Sequence, residues 1–545
     1  MTATATAAAA RRTSGALLGG WLPLVGLLAL AALLRLPSLA TRGTWDADQG
    51  HDMLVLRALV RDGVIPLLGP PTSIGNVHHG ALYYYLLAPA AFLTGGDSPL
   101  AVVTEIALAG IAAVGVTWWL ARDIGGPIAG LAAGLIMAVS ASAVDESTFI
   151  WNPNLIALSS AIALAGAWRA WTTGRPAWWL VSAIGLAVTM QCHVLGVTLL
   201  PILAAMLVAD ARARRSRPER VAILAYGLTG LLIVVVAFVP LAIHELTTDF
   251  SEIRAALDYM RAGGEASALG PAARLVVVGT RVVAWPLTGL ITDAIIPAVL
   301  VTAGVLLSAV LLARYGETRE RQAARWLGLG LVWTTVFLVV VAPGLAEVVA
   351  GLPNDHYHAF ADPMVFVLVG LAVGALWRTG SAAWRTGSPG SPQGSRAAAL
   401  VSLAGLAVFA LAAWNLTRQP PAINPDGGFP AADDAASRIQ TATGSSPIFL
   451  SSLPVFKTPE AYQYPLVRGG ATVRASDRSI DPMARQPASG ESLVIVCDAL
   501  FEPAIGAACG GPAEAVIAPA DVYGSPVDRF EAAPGRTITV YRPAP

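Results

Sequence analysis

Charge is what this chain of 545 residues has least of. Asp, Glu, Lys and Arg make up 13% of it and apolar residues 55%, whereas an average soluble domain carries about 25% charged residues. That balance, with its repeated long apolar runs, excludes an ordinary soluble enzyme. The chain reads as a polytopic membrane protein whose main partner is the lipid bilayer. Its charges cancel to a formal net zero and form no concentrated basic face, so nucleic acid is excluded as a partner. Cysteine is scarce as well. Three residues cannot build a disulfide framework. Cys192 lies in an apolar stretch and reads as a small core residue. Cys497 and Cys509 can pair if their region lies outside the cytoplasm, and the sequence leaves that open.

What the chain does have is eleven apolar segments, near 16–34, 99–120, 127–144, 154–171, 177–190, 193–208, 221–243, 290–312, 326–342, 362–377 and 397–414. The first follows Arg11 and Arg12 as a signal peptide would. It approaches the ~20 residues that span a bilayer and has no clear small-residue cleavage site, so it reads as a retained helix. Arginines set the orientation. Arg169 and Arg175 precede the fifth and sixth segments, Arg212 to Arg220 follow them, and basic ends belong in the cytoplasm. The chain therefore crosses twice between them and turns near Gln191 and His193. Further arginines at 314–325 and 378–396 mark inner loops, while 145–153, 190–193 and 343–361 contain no Lys or Arg and belong outside. An odd number of spans puts the first loop (35–98) and the C-terminus on the extracytoplasmic side of the cell membrane. The long outer segment from His244 to about Pro271 contains "DFSEIRAALDYMRAGG", an amphipathic helix ended by glycines. The chain thus divides into a transmembrane domain, 1–414, and a soluble α/β domain, 415–545. In the latter "PIFLSSL", "SLVIVCDAL" and "RTITVYRP" read as strands and "PAADDAASRIQTAT" as a helix.

The acids collect just past the first span, in "TWDADQGHD" (44–52). If a helix starts near Asp48, then Asp48 and Asp52 share a face, and either Asp46 or Asp48 suits a helix cap. Three acids could also hold a divalent metal, although the spacing is not a recognised ligand motif. The third reading is a general base: an ionised carboxylate at the membrane boundary, within reach of an acceptor hydroxyl. Other outer residues carry the same pair of readings, structural or substrate-binding. Arg57, on the helix after Asp48, meets headgroups or a donor phosphate. His78 and His79 precede a tyrosine-rich helix near 81–93. Asn152 and Asn154 can hydrogen-bond a sugar or phosphate. His356, Tyr357 and His358 lie in a loop whose one cation would be a protonated histidine. Arg35, at a span end, reads as snorkelling. Glu105, inside the second span, is a functional suspect by default or the partner of Arg35.

Four short motifs in this order resemble those of the polyprenyl-phosphate-sugar-dependent GT-C glycosyltransferases. That group includes the family 39, protein O-mannosyltransferase-like enzymes and the aminoarabinose transferases. The motifs are Asp48-Gln49 in "DQGHD", where the commoner form is Asp-Glu; "GALYYYL" at 80–86, containing Tyr84; "WNPN" at 151–154; and "NDHYHAFADP" at 354–363. The resemblance covers about residues 16–415. It implies a mainly α GT-C fold of about eleven transmembrane helices and an inverting transfer of a hexosyl or pentosyl group. The donor would be a polyprenyl-phosphate-linked sugar, and the acceptor an extracytoplasmic lipid, glycan or protein. It makes Asp48 the catalytic base; its neighbours Asp46, Gln49 and Asp52 are candidate substrate contacts, Asp46 and Asp52 without a matching position in the family. Many relatives carry an acid where Asn152 and Asn154 stand, which puts an acid-pair or metal arrangement in doubt. The alternative outside this class is a transporter or lipid flippase without covalent chemistry. Against it stand the lack of an internal repeat and the scarcity of mid-span ions.

Overall fold

The computed structural model describes residues 20–72, 77–262, 267–289, 295–347, 355–386, 392–476 and 486–543. The first helix, α1 (Leu22–Arg35), leads into a long loop. The loop holds α2 (Ala47–Arg61), a hairpin of β1 (Leu68–Pro71) and β2 (His78–Gly80), and α3 (Leu82–Thr94). A bundle follows, made of α4 (Pro99–Gly125), α5 (Pro127–Val139), α6 (Ile156–Thr173), α7 (Trp178–Cys192), α8 (Leu199–Ala213) and α9 (Arg217–Ala237). After α10 (Ser251–Arg261) and α11 (Pro271–Thr288) come α12 (Ile295–Tyr315), α13 (Thr318–Val341), α14 (Asp362–Thr386) and α15 (Pro392–Leu416).

Every apolar segment expected from the sequence carries a helix. Among the described residues, eight stretches are long and apolar enough to cross a membrane; α1, α5 and α7 are shorter apolar helices. The residues expected before Gly20 in the first span, and the glycines 263 and 264 expected to end α10, lie outside the described residues. The chain does turn at His193 between α7 and the helical stretch that begins at Val194, as the arginine pattern requires. Small residues let these helices close up. A Cβ on Gly185 of α7 would meet Ala163 N of α6 at 2.6 Å, and one on Gly166 of α6 would meet Ser182 N of α7 at 2.6 Å.

Arg35 and one helix of the bundle differ from the expectation. Arg35 does not snorkel and does not pair with Glu105. It is fully buried and donates to Ala138 O at 2.8 Å and Met137 O at 3.2 Å. Its cation thus meets the free carbonyls at the C-terminal end of α5, where a positive charge is favoured. The helix α11 was not expected at all. Its polar contacts, from Arg274 to Val339 O and from Trp285 to Glu146, go to the ends of helices and to loops. Along its length it also shares an apolar groove with α12 and α13, through Gly279 and Val283 against Thr302, Leu306 and Thr335.

The C-terminal region continues with α16 (Gly428–Thr443), the expected helix, and a five-stranded sheet. The expected strands are β3 (Ile448–Leu453), β5 (Ser492–Asp498) and β7 (Arg536–Tyr541). β4 (Val473–Ala475) and β6 (Asp528–Ala533) complete the order β4-β3-β5-β7-β6, parallel across β4-β3-β5 and antiparallel across β5-β7-β6. An unanticipated helix, α17 (Glu460–Arg468), lies between β3 and β4. Cys497 and Cys509 form a disulfide. The region sits directly on the first loop. Asp426 accepts from Thr44 Oγ1 at 2.6 Å and Trp45 N at 2.9 Å, and Trp45 Nε1 donates to Ala461 O at 2.8 Å.

Candidate active site

The acid-rich stretch becomes the first turns of α2, and its three aspartates meet three different surroundings. Asp46 is the N-cap. Its carboxylate accepts from Ala47 N at 2.8 Å, and Gln49 Oε1 reaches back to Asp46 N at 2.8 Å, closing a capping box. It also pairs with Lys457 and with Arg536, the latter at 3.2 Å. Burial alone would raise the Asp46 carboxyl, but the charges of Arg536 and Lys457 outweigh it and hold it below its ordinary value. Asp52 is buried and accepts from Tyr83 OH at 2.7 Å and Tyr84 OH at 2.9 Å. Burial pushes its carboxyl up to about 7.

Asp48 differs from both. It lines a cavity of about 450 Å³ with Ala47, His51, His78, Lys457 and Glu460, among others. Its side chain is open to that cavity, while protein closes round it on the other sides. Burial, together with the like charges of Asp46 and Glu460, raises its carboxyl above the ordinary value, against the pull of Lys457 and His51. Among the described residues no donor is bonded to the Asp48 carboxylate.

Much of the cavity wall comes from the C-terminal region, through Phe456, Lys457, Thr458, Glu460 and Gln463. Packing of α17 on α2 brings them there. A Cβ on Gly50 would meet Glu460 O at 2.1 Å, so only glycine permits this approach. His51 Nδ1 meets Glu460 Oε1 at 2.8 Å. Burial works against a charge on this ring, but the hydrogen bond and charge of Glu460 prevail and raise it above its ordinary value. None of these residues was singled out from the sequence. One signal was available, because Lys457 is the only lysine in the chain.

Several residues read as substrate contacts are instead committed to the protein. Gln49 completes the capping box and donates to Ile150 O at 2.9 Å. Arg57 is ion-paired with Asp97. Tyr84 and Asp52 tie α3 to α2. Asn152 donates to Cys192 O, and Asn154 to Phe149 O at 2.8 Å. His358 is buried between Asp355 and Asp362. Burial would strip its proton, but Asp355 outweighs that and lifts it to about 10. It is therefore a cation already matched inside the protein, beside the bidentate pair of Arg281 with Asp355 at 2.6 and 2.9 Å.

Of the remaining candidates, His78 lines the cavity with Asp48. Behind it the rings of His79 and His193 lie 4.9 Å apart, those of His193 and His356 5.3 Å apart, and His356 stacks on Tyr357 at 4.1 Å. Burial pushes His79 and His356 well below their ordinary values and His193 down to about 4. Burial thus works against a charge on all three rings, and the charged histidine of the 343–361 loop is His358, already matched by its aspartates. Asn354, at the head of the same motif, lies outside the described residues.

The three aspartates do not converge on one point, so they do not make a metal-ligand set. Among the described residues, the three ligand atoms found within 4.8 Å of one another belong to Cys497, Cys509 and Glu514, and those cysteines are joined to each other.

Comparison with known proteins places this arrangement. ArnT from Cupriavidus metallidurans in the apo state superposes with a TM-score of 0.56 at 13% identity, over 95% of this chain and 97% of that one. The same protein bound to undecaprenyl phosphate matches equally. The chain has a GT-C fold. The apo oligosaccharyltransferase of Archaeoglobus fulgidus shares it at a TM-score of 0.51 and 13% identity, over 88% of this chain and 69% of that one. No curated protein sequence matches. Residues 78–243 match the family model of dolichyl-phosphate-mannose-protein mannosyltransferase. That likeness covers less than half of the chain. It begins at His78 and so covers neither Asp48 nor the C-terminal wall of the cavity.

Proposed function

We propose that the chain is a membrane glycosyltransferase that moves a sugar from a polyprenyl-phosphate donor to an extracytoplasmic acceptor, with Asp48 as the general base. The observation that carries the reading is the contrast among the three aspartates. Asp46 is occupied by the cap and two cations, and Asp52 by two tyrosines, whereas Asp48 faces the cavity with its carboxylate unbonded among the described residues. A raised carboxyl is also a stronger proton acceptor once ionised.

In this reaction the acceptor hydroxyl gives its proton to Asp48, and its oxygen attacks the anomeric carbon. The carbon–oxygen bond to phosphate breaks with inversion, and polyprenyl phosphate leaves. Asp46 and Gln49 start α2 at a fixed point, and Lys457 and Arg536 hold that turn against the sheet, so the base is positioned by residues that do not react. ArnT has been crystallised with undecaprenyl phosphate, which supports a lipid-linked donor here. The extracytoplasmic side rests on the arginine pattern, and the C-terminal region, 415–545, is read as the part that completes the cavity from that side.

The test is a mass-spectrometric comparison of surface lipids, glycans and proteins from cells with and without the chain. One sugar modification should disappear without it and return with wild-type protein, but not with Asp48→Asn. An unchanged set of modifications with an altered distribution of a lipid between leaflets would favour the flippase reading instead.

A further inference from the structure

Two histidines line the Asp48 cavity, and both are held in the same way. His51, on α2, meets Glu460 Oε1 through Nδ1 at 2.8 Å; His78, on β2, meets Glu252 Oε1 through Nδ1 at 2.9 Å. The glutamates come from α17 and α10, elements far apart in the chain. Each is itself fixed: Glu460 Oε2 accepts from Thr458 Oγ1 at 2.7 Å, and Glu252 Oε2 accepts from His78 N at 2.7 Å. An ionised carboxylate only accepts, so each Nδ1 carries the proton and each Nε2 is left for another partner.

We propose that the His51–Glu460 and His78–Glu252 pairs form a two-sided clamp on the phosphate of the polyprenyl donor. The proposal rests on the donor reading above and adds the residues that would receive the leaving group. When the sugar–oxygen bond breaks, its electron pair stays on a phosphate oxygen, and a phosphodiester with one negative charge becomes a monoester with two. The acceptor proton goes to Asp48, so the phosphate needs hydrogen-bond donors rather than a proton. The Nε2 atoms of the two rings are placed to supply them as Nε2–H donors, and at His51 the charge and hydrogen bond of Glu460 favour the protonated ring. Among the described residues that line the cavity, Lys457 is committed to Asp46. Asp48, His51 and His78 do not bring three ligand atoms within 4.8 Å of one another. That spacing suits an anion with several oxygens better than one bare metal ion.

The experiment measures binding of a short-chain polyprenyl phosphate, and of the matching polyprenol, to the purified full-length protein in lipid nanodiscs. His51→Gln and His78→Gln should each weaken polyprenyl phosphate about tenfold or more and leave polyprenol unchanged. Glu252→Gln and Glu460→Gln are positioning variants. They should weaken the phosphate lipid by a smaller factor and raise the KM for donor more than they lower kcat. Asp48→Asn should bind the phosphate lipid at least as tightly as wild type while transferring sugar roughly 10²–10⁴-fold more slowly. Wild-type binding by both histidine variants, with their thermal unfolding unchanged, would overturn the clamp and leave the donor reading standing. So would phosphate binding that disappears with a chelator. A wild-type protein that does not distinguish polyprenyl phosphate from polyprenol would remove the donor reading and the clamp with it.

Discussion

Asp52 illustrates how burial decides what an acid does. Its two carboxylate oxygens satisfy the hydroxyls of Tyr83 and Tyr84, which ties α2 to α3 behind the cavity. Asp52→Ala strands both hydroxyls and should cost about 1–3 kcal/mol for each, read as a lower unfolding temperature in detergent. Asp52→Asn keeps an acceptor and should cost much less. The two should also differ in pH response. The folded carboxyl titrates at about 7 and an unfolded one near 3.9, so the raised pKa favours the protonated folded state. That contribution is complete below about pH 3.9 and is lost as pH rises to about 7. Wild type should therefore lose stability relative to Asp52→Asn across this window, and a pH-independent difference would show that Asp52 does not titrate there. The sequence displayed this residue and its spacing from Asp48. It could not display that Tyr83 and Tyr84 would fold over it, because that contact depends on the angle between two helices.

At the scale of elements, the contact between α2 and α17 sets the shape of the site. Gly50→Ala places a methyl group 2.1 Å from Glu460 O, so α17 must withdraw. We expect a stability loss of about 1–3 kcal/mol and a marked fall in sugar transfer, although Asp48 is untouched. Gly26→Ala in α1 has open space around it and should leave both properties unchanged. Asp46→Asn is the complementary test. Asn caps as well as Asp does, so α2 should persist while the pairs with Lys457 and Arg536 weaken, costing about 1–3 kcal/mol. Equal unfolding temperatures for Asp46→Asn and wild type would show that those pairs do not hold the C-terminal region in place. The apolar helices were legible because an uninterrupted apolar run bounded by arginine suits a membrane span and little else. Helix α11 was not, because Arg274 and Arg281 break its apolar pattern. Helix α17 is short and contains Pro465, and in sequence it is indistinguishable from a loop.

The whole molecule brings residues more than 400 positions apart to one cavity. Charge asymmetry predicted that the first loop and the C-terminal region share a side, and their packing on one another accords with that. A reporter active only outside the cytoplasm should work when fused after Pro545 and fail near Arg215; activity at both places would remove the orientation on which the acceptor side depends. That the C-terminal region supplies cavity residues was not legible, since contacts at such separation leave no local pattern. The central claim, that Asp48 is the base, is tested most directly by single-turnover transfer from a polyprenyl-phosphate sugar with purified Asp48→Asn. The account predicts a fall of roughly 10²–10⁴-fold with unfolding temperature and polyprenyl phosphate binding retained. Wild-type turnover by Asp48→Asn would contradict it.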